Sequence, residues 1–336
     1  MEKKYWQDEI KVDYTDRTLF GNDAAEEEQE EVFLSYALEP DITTDFLDRE
    51  NKIQVVRAFK GEGKSALLRL AKNKLEKEER NLVISNTAVS LSPVLDSIDS
   101  DEWTRKWKEK LLNLIANEIG SRIGLAFSDD AISLVEEAEE NGFKQKSFVS
   151  TIADRLKTKN IPIEKIRSGV KNPEALLKRW LKDGADTWLI IDDIDQNFQN
   201  IEKNRIKVAS FFTACRQVAA AIPEVRFRLS VRPNVWKIIK REYEALSHVE
   251  QYIQDLKWSL DDIEALIVKR VEGYLIRHDT WEDAKKLLSK KSNRQREQLL
   301  SLVFEEPMPW GKQRTRPAKI ILYTLSRHRP RWLIEL

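Results

Sequence analysis

One cysteine, Cys215, and three histidines, His248, His278 and His328, are all the thiols and imidazoles that 336 residues provide. A lone thiol excludes an intramolecular disulfide framework and a cysteine zinc site, as expected of a protein in a reducing cytoplasm. The histidines are far apart in the chain and read as surface or satisfied polar residues. Net charge is missing too: 57 Lys plus Arg balance 57 Asp plus Glu. Charge therefore makes no global case for nucleic-acid binding, and any such surface must be local. No apolar run approaches the roughly 18 residues of a membrane span, and the N-terminal MEKKYWQDEI has no apolar core, so neither a membrane partner nor a signal peptide is expected. What remains is a highly charged globular composition, 34% charged against 41% hydrophobic, long enough for two domains or one elaborated domain.

The organising stretch is IQVVRAFKGEGKSALLRL, residues 53–70: an apolar β-branched run, a glycine-bearing turn, then an apolar-periodic helix. Gly61 and Gly63 allow positive φ, so that successive N–H groups point inward, and the helix N-terminus adds partial positive charge. Lys60, Gly61, Glu62, Gly63, Lys64, Ser65 and Ala66 are the expected phosphate-binding residues. Lys64 is assigned to the β- and γ-phosphates and the Ser65 hydroxyl to a Mg²⁺ ion. The match to GxxxxGK[ST] departs at Ala58, where the first glycine belongs.

A second segment complements the first. TWLIIDDIDQNF, 187–198, runs four apolar residues into Asp192 and Asp193, at a strand C-terminal end where α/β sheets bind ligands. Asp192 is the expected Mg²⁺ residue, acting through water, and Asp193 the group that orients or deprotonates an attacking water. An Asp reaches about one methylene less far than the Glu common at that position, so slow turnover is expected. NLVISN, 81–86, and VRFRLSV, 225–231, read as further buried strands, and HVEQYIQDL, 248–256, as a fifth. Ser230 or Arg232, at the end of the 225–231 strand, is placed to sense a γ-phosphate. Arg228 alternates with apolar neighbours and is expected to face out or pair with an acid.

Residues 1–50 form a lead-in in which Glu26 to Glu31 make a solvated helix face or acidic first turn, with Asp23 a candidate N-cap. In it Leu19, Phe20 and Gly21 either pack as core or stand against an adenine ring. Residues 51–256 make the core, interrupted over 93–182 by an all-helical insertion that puts 128 positions between Lys64 and Asp192. Trp103, Trp107 and Trp180 are expected in the core of that insertion. Residues 257–336 read as helical throughout, with Ser259 an N-cap, and as basic, with Lys285, Lys286, Lys290, Lys291, Arg294, Arg296, Arg314 and Arg316. Pro330 suits a helix first turn, leaving Arg331 to reach back. That helix stops in mid-period at Leu336, which suggests a missing C-terminal part.

In order, FKGEGKSALL, WLIIDDID, LSVRPNVW, WSLDDIEALIVKRVEGYL and RPRWLIEL resemble AAA-type P-loop ATPases of the STAND and KAP-like group. More narrowly they resemble the bacterial family with an LFG-x-x-xAE lead-in, a KGxGKSAL loop and a terminal RPR. The resemblance covers most of the chain outside 93–182. It implies an α/β fold with an additional-strand P-loop core, parallel sheet order 5-1-4-3-2, and a helical lid over 257–336 carrying Arg331 as lid (sensor 2) arginine. It also implies ATP and Mg²⁺ as cofactors, and a switch or oligomeric machine with a homo-oligomeric or effector partner, often in defence against phage. An arginine finger would come from a neighbouring subunit, with Arg216, Arg226, Arg228 and Arg241 as candidates. ATP is favoured over GTP because no NKxD-like segment is present. Two other readings stay open: a nucleotide-gated interaction module with little hydrolysis, and a DNA-associated loader using the basic 285–331 region.

Overall fold

A computed structural model describes residues 9–126 and 173–335, apart from 17, 23, 26, 183–185 and 313. The expected helices within 127–172 and the Asp23 cap lie outside the described residues. In chain order the elements are α1 (Glu30–Tyr36), α2 (Thr43–Leu47), β1 (Ile53–Arg57), α3 (Lys64–Glu76), β2 (Leu82–Thr87), α4 (Ala88–Leu91), α5 (Ser100–Ala126), α6 (Pro173–Leu181) and β3 (Thr187–Asp192). They continue with α7 (Glu202–Ala221), β4 (Val225–Val231), α8 (Pro233–Glu242), β5 (Ile253–Asp255), α9 (Leu260–Arg277), α10 (Trp281–Leu287), α11 (Ser292–Val303), β6 (Met308–Trp310), β7 (Arg314–Arg316), α12 (Ala318–Leu325) and α13 (Pro330–Glu335). The chain divides into two compact units, one of Met1–Thr43, Ala58–Leu70 and Asp255–Leu336, the other of Thr44–Arg57 and Ala71–Gln254.

The second unit is built on a five-stranded sheet of order β2-β3-β4-β1-β5, the expected order read from the other edge. The β2–β3, β3–β4 and β4–β1 pairs are parallel. A parallel sheet covered on both faces needs near-continuous apolar strands, and IQVVR, TWLIID and VRFRLSV are buried along almost their whole length. Helix α7 lies against β4 and β1, and α5 packs on α7. Trp107 meets Phe211 edge-on at 5.0 Å, Phe211 meets Phe212 at 5.5 Å, and Phe212 meets Trp236 at 5.3 Å. Trp103 and Trp107 are fully buried, in the core shared with the strands and α7 rather than in one of the insertion's own, and their indole N–H groups donate to the carbonyls of Ser97 and Lys207. Truncating either to Ala should cost roughly 3–5 kcal/mol. Trp180 falls on α6.

Two expectations for this unit are corrected. The fifth strand is only Ile253–Asp255, because Glu250–Tyr252 turn as a 3₁₀ helix just before it. Arg228 neither faces out nor pairs with an acid. It is fully buried and donates from Nη1 to the Phe227 carbonyl at 2.8 Å, from Nη2 to the Asp48 carbonyl at 2.8 Å, and from Nε to the Phe46 carbonyl. Alternation along β4 put Arg226, Arg228 and Ser230 on one face. The C-terminal end of α2 and the residue after it cover that face, and the Phe46 and Asp48 carbonyls replace the solvent.

The other unit has its own core, in which Ile263, Ile267, Val271 and Leu275 of α9 pack with Leu299, Leu300, Leu322 and Leu333. Ser259 caps α9 as expected, in a reciprocal capping box with Asp262. Helix α1 opens at Glu30, so Glu30 and Glu31 form its acidic first turn. The all-helical expectation for 257–336 is corrected, since β6 and β7 form an antiparallel hairpin within it. Pro307 and Pro309 prevent a helix there, and Gly311, at φ 72°, takes the turn. Arg314 and Arg316 on this hairpin are exposed. Among the described residues, no helix is long and apolar enough to cross a membrane.

Candidate nucleotide site

The turn after β1 has the backbone the glycines allow. Gly61 and Gly63 stand at φ 84° and 91°, values that a side chain would make strained. Helix α3 starts at once, and its first intrahelical bond runs from the Leu67 amide to the Gly63 carbonyl at 2.9 Å. The amides of 64–66 thus open the helix, where backbone dipoles favour an anion. Lys64 is buried and folds back over its own turn, donating from Nζ to the carbonyls of Ala58 at 2.9 Å and Phe59 at 3.1 Å. Glu62 braces the turn: its carboxylate accepts from the Phe59 amide at 2.5 Å, and its amide donates to the Phe59 carbonyl at 3.2 Å. Lys60 is exposed, whereas Ser65 and Ala66 are half-buried.

Two distant residues of the same unit touch this turn. The Arg331 amide, in the first turn of α13, donates to the Gly61 carbonyl at 3.1 Å. The Trp258 indole donates to the Glu62 carbonyl at 2.8 Å. Trp258 was not legible as a partner of the turn, since nothing in its own neighbourhood points 196 positions away.

In the lead-in, Leu19 is buried and Phe20 stacks on Phe304 with ring centroids 6.1 Å apart. Gly21 lies beside Glu28, Arg270 and Tyr36. Glu28 accepts from the Asn22 amide and the Tyr36 hydroxyl, and the Arg270 guanidinium lies 3.9 Å from the centre of the Tyr36 ring. Burial pushes the Tyr36 phenol up to about 12, opposed by Arg270 and helped by Glu28. Burial likewise lowers the pKa of Arg270.

In the other unit, the parallel register sets Val56 beside Ser230, Arg57 beside Val231, and Leu229 beside Ile191. β1, β4 and β3 therefore end at one edge of the sheet. There the Ser230 hydroxyl donates to Asp192 Oδ1, which also accepts the Asp193 amide at 2.9 Å. Asp193 has a left-handed backbone, φ 59°, at the bend where the chain leaves β3. Arg232 follows β4 as the N-cap residue of α8, with Pro233 opening that helix. Its amide donates to Asp195 Oδ2 at 2.5 Å, and its guanidinium Nε lies 3.4 Å from Asp195 Oδ1. Asp195, two positions after Asp193 in IDDID, is almost fully buried. Arg57 at the end of β1 pairs with Glu250 at 3.5 Å.

Of the arginine-finger candidates, Arg228 is committed to carbonyls and Arg226 to Asp186 at 2.6 Å, while Arg216 and Arg241 are exposed. Cys215 is buried, and burial pushes its thiol pKa up, so it is no nucleophile. Among the described residues, no three His, Cys, Asp or Glu gather to hold a metal ion.

No protein-family model, curated protein or solved structure matches the chain.

Proposed function

We propose that the chain is an additional-strand P-loop ATPase that binds ATP with Mg²⁺ and uses hydrolysis to drive a conformational or assembly switch. The observation that carries this reading is the turn itself. A parallel strand runs directly into Gly61 and Gly63 at positive φ, a helix N-terminus follows, and a buried Lys64 lies folded over the carbonyls of its own turn. A strand order with β4 between β1 and β3 supports it.

In this mechanism the amides of residues 63–66 hold the phosphates and Lys64 neutralises charge at the β- and γ-positions. The Ser65 hydroxyl and the Asp192 carboxylate are oxygen donors of the type Mg²⁺ takes, and such a site needs only one or two protein carboxylates beside substrate phosphates. The chemistry the ion supplies is neutralisation of phosphate-oxygen charge. Asp193 orients or deprotonates water, Ser230 or Arg232 responds to the γ-phosphate, and Arg331 acts as the lid arginine. The partner is a second copy of the chain or an effector protein, and the process suggested by the resemblance is bacterial defence against phage.

One feature favours a second version, a nucleotide-gated interaction module with little hydrolysis. Asp193 is shorter than Glu and is held by its own amide bond to Asp192. Single-turnover kinetics separate the two versions. Release of phosphate from enzyme-bound ATP within minutes is expected and excludes the binder-only version. Intact ATP after hours would overturn the hydrolytic one, and loss of neither binding nor turnover in Lys64→Ala would overturn both.

A further inference from the structure

The two bonds that reach the turn from Trp258 and Arg331 fall on consecutive peptide units, Glu62–Gly63 and Gly61–Glu62. In a trans peptide the C=O and N–H of one unit point in opposite directions. The Gly61–Glu62 unit is pinned at both ends, its carbonyl by the Arg331 amide and its N–H by the Phe59 carbonyl. The Glu62–Gly63 unit is pinned at its carbonyl by the Trp258 indole, which aims the Gly63 N–H away from that ring. Contact reinforces the bond, because a Cβ on Gly63 would stand 3.3 Å from Trp258 Cζ2. The indole therefore closes one side of the Glu62–Gly63 peptide and leaves the N–H side for a ligand.

We infer that Trp258 is a positioning residue for phosphate: by holding the Glu62 carbonyl it keeps the Gly63 amide directed at the anion, so that nucleotide affinity depends on where the segment just before α9 sits. The inference rests on the nucleotide reading of the turn. Glycine at position 63 gives the peptide rotational freedom, and the indole removes that freedom at no cost in reach. If Trp258 withdraws, the peptide can rotate and turn its carbonyl toward the anion, replacing a donor by an acceptor.

The test is Trp258→Phe, which keeps an aromatic ring at the position and loses the N–H together with the outer part of the indole. Binding of ADP, ATP and adenosine to wild type and variant is measured by calorimetry, with thermal unfolding as a check on the fold. The expected result is about tenfold weaker ADP and ATP binding, as for loss of one well-aligned donor, with adenosine affinity unchanged. Equal loss for adenosine and ADP, or no loss for ADP, overturns the positioning role while leaving the nucleotide reading in place. Failure of the wild type to bind any of the three would sink the nucleotide reading and this inference with it. Should Trp258→Phe fail to fold, Trp258→Leu is compared in the same way.

Discussion

The two ends of the central sheet hold aspartates in different company. Asp186, just before β3, is buried between two guanidinium groups, with Arg226 Nη1 at 2.6 Å and Arg49 Nε at 2.6 Å. Arg226 is tied in further by bonds to the Arg49 and Glu224 carbonyls. Asp192, six residues on at the other end of the same strand, takes bonds from a serine hydroxyl and a backbone amide, both uncharged donors. A carboxylate locked between arginines cannot change partners without leaving cations behind. On the proposed function the acid before β3 is structural and the one at its C-terminal end chemical, as the strand's direction predicts.

That contrast can be broken from either end. The largest effect is expected at the binding end: Lys64→Ala should weaken ATP binding by roughly 100-fold or more, because a charge-assisted contact to phosphate is lost. Next, Asp193→Asn should lower steady-state phosphate release by about 100-fold or more while ATP still binds, as for loss of a general base. At the structural end the order reverses. Arg228→Met leaves the carbonyls of Phe46 and Asp48 short of a donor and should reduce the urea-derived unfolding free energy by about 2–4 kcal/mol. Nucleotide affinity should stay within a factor of about two. Asp186→Asn, which keeps the shape and removes the charge between two arginines, should cost about 1–2 kcal/mol, less because Arg49 is half-exposed.

The smallest effect is a slope with pH. The Tyr36 phenol is raised to about 12, chiefly by burial, from an ordinary value of 10. The folded state therefore holds its proton where the unfolded state has lost it, so this contribution is complete below pH 10 and is lost as pH rises toward 12. Melting temperatures across that window should fall less steeply in Tyr36→Phe than in wild type, and identical slopes would show that the phenol is not sealed.

How much of this was legible follows from the range of the interactions. β1 and β3 could be read because a strand buried on both faces must be apolar along its length, and the change to Gly61 or Asp192 marks its end. Ser259 could be read because a cap and its partner Asp262 are three residues apart. Arg228 could not: alternation assigns it a face, but the carbonyls that cover that face come from residues 46 and 48, about 180 positions away. The hairpin at 308–316 was hidden because its strands are three residues each and carry prolines and arginines in place of an apolar alternation. Within the proposed site, the glycine turn and the twin aspartates could be picked out from the motifs, while Trp258, which bonds to the turn, could not.

The most direct test is the dependence of ATP binding on Mg²⁺ in wild type and in Asp192→Asn, measured by calorimetry with and without EDTA. The proposal predicts that Mg²⁺ tightens ATP binding severalfold or more in the wild type and has little effect in the variant, while binding in EDTA is the same for both. A full Mg²⁺ effect retained in Asp192→Asn would contradict the claim that the glycine turn and the acid at the end of β3 serve one nucleotide.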